Sequence, residues 1–124
     1  MAMTTSPLLL NKAELSYVGE AIKVESYRAN ISNLYTLSIS VSQFTGRVFV
    51  EGSMNGGALS SDWFPIKLSS DSNFVAFSET TITIGINFQG VIPYLRASIN
   101  RDYLNAQTYN TEFHGFLNKI TVNY

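Results

Sequence analysis

The chain has 124 residues, a net charge of −1 and no cysteine, and charged side chains make up only 14% of it. That length suits one domain, whose single core buries roughly two-thirds of the unfolded surface without help from metal or disulfide. The missing cysteines exclude thiol nucleophiles, disulfides and thiolate metal sites, and the near-zero charge gives no electrostatic drive toward nucleic acid or an anionic membrane.

Met1 to Ser6 is small and polar and reads as an N-terminal arm, with the single domain spanning 7–124. No stretch approaches the ~20 apolar residues of a transmembrane helix. Pro7 to Leu10 is too short for a signal-peptide core and lacks a basic flank, so no secretory signal is expected. Leu8 to Tyr17 and Ala21 to Tyr27 read as weakly patterned strands, with Ile22 and Val24 on one face of the second. A short helix over Lys12 to Val18 stays open as an alternative. Asn30-Ile31-Ser32 has the form of a glycosylation acceptor and, without secretion, reads as a chance match.

Leu34 to Ser42 gives the clearest alternation: Tyr35, Leu37, Ile39 and Val41 inward, Thr36, Ser38 and Ser40 outward. Gln43 to Gly46 then reads as a turn into a second strand, Arg47 to Gly52. This strand and Phe64 to Leu68 form a hairpin, with Val48 and Val50 on one face of the first arm and Phe64, Ile66 and Leu68 on one face of the second. Its tip is the exposed loop 53–62, where Asn55-Gly56-Gly57 supplies backbone freedom. After a turn cluster at 69–73, Phe74 to Ser78 and Thr80 to Phe88 read as two strands. The second places Ile82, Ile84, Ile86 and Phe88 together, and Gly85 on its other face permits a bulge or a close approach. Val91 to Ile99 turns Val91, Leu95, Ala97 and Ile99 inward, and Pro93 assigns its start to an edge or bulge. Asn100 to His114 lacks strand periodicity and reads as a long loop. The last strand, Phe116 to Tyr124, carries Phe116, Ile120, Val122 and Tyr124 in phase.

About seven to nine short strands with regular turn signals predict an all-β antiparallel β-sandwich of jelly-roll type. Three segments, V-F-V-E-G-S (48–53), W-F-P-I (63–66) and Y-L-R-A-S-I (94–99) after F-Q-G (88–90), occur in an order that resembles small β-sandwich structural proteins of tailed-bacteriophage virions. The resemblance implies a non-enzymatic virion protein assembled in the host cytoplasm, with other virion proteins as partners. A capsid decoration (cement) protein is the first expectation, and a neck, collar or baseplate component the variant. It brings no catalytic residues with it.

The residues agree with that expectation in what they lack. His114 is the only histidine and reads as structural, no G-x-S-x-G elbow occurs, and the acids are scattered. A glycosidase pair of Glu51 with Asp62 or Glu79 meets only a loose test. Asp62 and Asp71 lie beside serines as calcium ligands would, but read more simply as turn residues. No cofactor or metal is expected.

Serine and threonine fill polar strand positions that charges usually take, which suggests a surface facing proteins or glycans; the plain alternative is a neutral β-protein. Trp63, on the face opposite Phe64 and Ile66, reads as a surface aromatic serving a protein interface or, with Tyr94 or Tyr103, a sugar platform in a carbohydrate-binding module. Arg96, Arg101 and Asp102 read as a cluster that is either an intersubunit ion pair or an exposed pair of little energetic weight. A homo-oligomer held by the arm, by loop 53–62 with Leu59, and by loop 100–114 with Tyr103 and Tyr109 completes the expectation.

Overall fold

The computed structural model describes residues 5–12, 16–24, 34–68, 72–90, 92–101 and 115–123. It is organised around β4, Leu34–Ser53, a strand of 20 residues. Straight, such a strand would run roughly 65 Å, whereas a domain of this size is about 35 Å across, so β4 must bend. The bend falls at Gln43, whose φ is 50°. Opposite it, β6 (Phe74–Gln89, 16 residues) has a matching break at Glu79, with φ 47°. Each freed amide takes a threonine hydroxyl from the other strand: Gln43 N donates to Thr81 Oγ1 at 2.8 Å and Glu79 N to Thr45 Oγ1 at 2.9 Å. Gln43 to Gly46 is therefore a β-bulge within one strand rather than a turn between two, and the expected strands 74–78 and 80–88 are likewise one.

The bulges explain how one strand serves two layers. Before the bend β4 pairs with β8 (Phe116–Asn123), after it with β7 (Tyr94–Asn100), and β6 follows its other edge past both. β1 (Thr5–Lys12) extends β8, while β2 (Ser16–Val18) and β3 (Ile22–Lys23) extend β7. β5 (Phe64–Pro65) pairs with the end of β4. The result is an eight-stranded, wholly antiparallel sheet folded into two layers and nearly closed as a barrel. The all-β antiparallel expectation holds. Its layers share two long strands instead of being assembled from short ones.

Closure occurs where β1 meets the β2–β3 edge. Gly19 N donates to Ala97 O at 2.8 Å, and a Cβ on Gly19 would stand 2.9 Å from the Leu8 carbonyl oxygen, so only a bare backbone lets β1 approach. Thr5 and Ser6, expected in the arm, already pair with Asn123 and Val122 in β1. Met1–Thr4, the sequon 30–32, Asp71, and the loop from Asp102 to His114 with Tyr103 and Tyr109 lie outside the described residues.

Each bulge also preserves the core. Tyr35, Leu37, Ile39 and Val41 are buried before Gln43, and Phe44, Val48 and Val50 after it, so the inserted residue switches inward positions from odd to even numbers while keeping the apolar set inside. They meet Leu95, Ala97 and Ile99 of β7 and Leu117, Ile120 and Val122 of β8. In β8 a register shift at Asn118 turns Leu117 inward and leaves Phe116 exposed, contrary to the simple alternation. Asn118 stays on β4 by donating from Nδ2 to Ser42 Oγ at 2.9 Å. At one end, Tyr35 stacks on Phe88 with centroids 4.8 Å apart and donates its hydroxyl to Ile92 O at 2.9 Å, satisfying the polar tip of a buried ring.

Candidate protein interface

The loop between β4 and β5 is where the segments 48–53, 63–66 and 94–99 meet. It starts from Ser53, which is buried; its Oγ accepts the backbone amides of Asn55 (3.2 Å) and Gly56 (2.9 Å). Asn55 Oδ1 accepts from Gly57 N at 3.0 Å, while its Nδ2 donates to Asp62 Oδ1 at 3.2 Å. The other Asp62 oxygen accepts Leu59 N at 3.1 Å, capping the single 3₁₀ turn Ser60–Asp62. Gly56, at φ 64°, occupies the left-handed region, and an added Cβ would meet the Tyr94 ring at 2.8 Å. These are local side-chain to backbone bonds of the kind that order turns. Asp62 serves as the turn residue its sequence context suggests, and its carboxylate is occupied by loop amides.

Trp63 closes the loop. It lies on the outer face of the sheet, as strand alternation requires, yet it is only 8% exposed. Its Nε1 donates to Gly57 O at 2.9 Å, and the Arg96 guanidinium lies 4.3 Å over its ring, held by Arg96 Nε donating to Glu51 Oε1 at 2.9 Å. Partly exposed, the Arg96–Glu51 pair is worth about 1 kcal/mol or less, and its effect is to fix the guanidinium over the indole. Trp63, Tyr94 and Arg96, each expected at a binding surface, instead support the loop from beneath. The tryptophan face is covered and offers no platform to a sugar. Phe64, expected inward beside Ile66 and Leu68, lies over Gly52 at the rim and remains exposed, in a strand β5 that is only two residues long and ends in Pro65.

What this scaffold presents is apolar. Leu59, the anchor expected from sequence, is 67% exposed, and Met54, which sequence reasoning missed, is 69% exposed. Met54 directly follows the buried Ser53, and an isolated methionine in a polar loop was the signal available. Two exposed apolar side chains on a hydrogen-bonded loop lose little entropy on docking, which is the advantage of a preorganised interface. Replacing Trp63 with phenylalanine tests the brace: loss of the Nε1–Gly57 bond should cost about 1–2 kcal/mol and speed proteolytic cleavage within 53–62 well before global unfolding. Cleavage at the wild-type rate would show that the loop holds its shape without the indole.

Arg101 belongs elsewhere. It is fully buried, on the core side of the sheet, with Nη1 donating to Gly115 O at 3.0 Å and its guanidinium 4.4 Å over Phe44. Arg96 and Arg101 thus point to opposite faces of the sheet and do not share a surface cluster; Asp102, expected with them, lies outside the described residues. Glu51 is engaged by Arg96, and Glu79 stands apart at the β6 bulge. Among the described residues no group of three or more His, Asp or Glu side chains is placed to hold a metal. A shallow open groove of about 390 Å³ crosses the outer face of β2, β7 and β4, lined by Tyr17, Phe49, Glu51, Ser98 and Asn100. Comparison with protein-family models, curated proteins and solved structures finds no match to this chain.

Proposed function

We propose that this chain is a non-enzymatic structural protein of a tailed-phage virion, a capsid decoration protein in the first instance, that seats on a protein partner through the loop 53–62. The observation that carries the reading is the braced loop: the side chains of Ser53, Asn55 and Asp62 bond within it, while Met54 and Leu59 stand in solvent. Apolar side chains this exposed on an ordered loop are characteristic of anchors that bury in a partner. The low proportion of charge, 14% of residues, supports the same reading because a surface that docks avoids desolvating ions. A neck, collar or baseplate position uses the same chemistry at a different copy number.

Mass spectrometry of purified particles tests placement, with far more copies per particle required for decoration than for a ring. A Met54→Ser/Leu59→Ser variant tests the loop. Each anchor contributes about 1–2 kcal/mol, so the variant should occupy particles at least tenfold more weakly while melting within ~2 °C of the wild type. Undiminished occupancy would remove the loop from the interface, and absence of the wild-type chain from particles would remove the virion reading altogether.

The outer-face groove favours a second reading, a carbohydrate-binding module. Tyr17 and Phe49 supply apolar surface there, and Glu51, Ser98 and Asn100 supply polar groups. A glycan array discriminates, with Tyr17→Ala as the control now that Trp63 is covered. Glycan binding by the wild type that the control abolishes would favour this reading over protein docking.

A further inference from the structure

A sheet edge exposes a row of unpaired backbone donors and acceptors, and proteins blunt such edges with charge, proline, brevity or a covering element. Nearly every outer edge of this sheet is blunted. β1 carries Pro7 and Lys12, β2 and β3 are three and two residues long, and β5 is two residues long and ends in Pro65. β6 is the exception among the described residues. It pairs with β4 along one edge only, has no proline, and from Thr80 to Gln89 has no charged residue.

The sequence of that stretch is complementary to itself. Laid antiparallel on a second copy about Ile84, it sets Ile82 opposite Ile86, Ile84 opposite Ile84, Thr81 opposite Asn87 and Thr83 opposite Gly85. Isoleucine meets isoleucine on one face, small or polar residues meet on the other, and no like charges oppose each other anywhere. Ile82 is 44% exposed, and Ile84, Ile86 and Phe88 are only partly buried against the core, so the apolar row is open along this edge. The bulge at Glu79 turns residues 74–78 toward the other layer and bounds the pairing at Thr80.

We propose that a second copy of this chain pairs with the first along β6, antiparallel and two-fold symmetric about Ile84, joining the two sheets into one. About nine inter-strand hydrogen bonds, one per residue from Thr80 to Phe88, form across the junction. The symmetry closes the assembly at two copies, so the edge is consumed instead of propagating a fibre. The β6 edge carries this inference independently of the loop 53–62 and of any virion partner, and it is tested on the purified chain alone.

Sedimentation equilibrium over a range of concentrations should find a dimer. Thr83→Lys with Gly85→Lys places two lysines directly opposite each other on either side of the central Ile84 pair and should weaken the dimer at least tenfold at low salt. Thr83→Lys with Gly85→Glu sets each lysine against a glutamate of the other copy and should keep the dimer. Both positions are exposed, and a Cβ on Gly85 makes only ordinary contact, 3.8 Å from Leu37 O, so both variants fold and circular dichroism verifies it. A lysine variant that dimerises as firmly as the wild type, or a lysine–glutamate variant as weak as the double-lysine one, overturns the register. A wild-type chain monomeric at every concentration overturns the proposal, whether the edge stays bare or is taken by another protein's strand.

Discussion

Gly115→Ala should lower the melting temperature by about 10–20 °C. Gly115 enters β8 with φ 62°, a left-handed conformation that costs a residue bearing Cβ about 1–2 kcal/mol. The added carbon would also overlap the Ser42 carbonyl oxygen and the backbone of Gln43. Those atoms belong to the bulge that bends β4, so relief requires moving the hinge between the two layers, and overpacking of this kind adds about 1–3 kcal/mol or more. A domain of this size has about 5–15 kcal/mol in total. Gly85→Ala is the internal control, since the same methyl there meets only Leu37 O at 3.8 Å and should leave the melt nearly unchanged. If both variants melt together with the wild type, the left-handed entry to β8 is wrong.

The strands were legible because alternation survives in nearly all of them, and what was misread is how they connect. Gln43-Phe44-Thr45-Gly46 has the composition of a turn, and a turn and a bulge both switch inward positions from odd to even. Phe44 held the distinction: a large aromatic at the centre of a four-residue turn has nowhere to be buried, whereas in a bulged strand it drops into the core, where it is found. A second parity change, between Phe77 and Ile82, matches the first and would have paired the two bulges across the strands. Asn118 gave no such warning. Its register shift depends on the hydroxyls of Ser40 and Ser42 on another strand, which local pattern does not reveal.

The candidate interface was legible in its location and less so in its construction. Leu59 stood out as an apolar residue among polar ones, and alternation assigned Trp63 to the outer face. That the outer face is covered there depends on Arg96, brought over the indole from a strand distant in sequence. Arg101 was within reach of the sequence: with Leu95, Ala97 and Ile99 inward, period two continued by one step turns residue 101 inward as well. A charged residue past the end of a strand was read as surface because burial of arginine is rare without partners. Its partners among the described residues include a backbone carbonyl and an aromatic ring, neither of which local sequence announces.

Arg101→Ala should therefore destabilise the domain by about 3–5 kcal/mol, as truncation of a fully buried large side chain does. The side chain fills space that Gly46 leaves open: a Cβ on Gly46 would lie 2.8 Å from Arg101 Cγ. Its guanidinium satisfies Gly115 O at the start of β8 and lies over Phe44 at the β4 bulge, so one residue ties β7 to both strands at the hinge. Arg101→Met keeps much of the stem and loses the hydrogen bond, and should cost less than the alanine variant; the difference between them isolates packing from polar pairing. Gly46→Ala alone is destabilising through its clashes with the arginine stem and with Phe44 Cζ at 2.8 Å. In the Gly46→Ala/Arg101→Ala double variant the methyl enters part of the space the arginine vacates, so the combined loss should fall short of the sum of the singles by about 0.5–3 kcal/mol. Urea titrations of the four proteins measure this directly, and strictly additive losses would mean that the stem of Arg101 does not rest on Gly46.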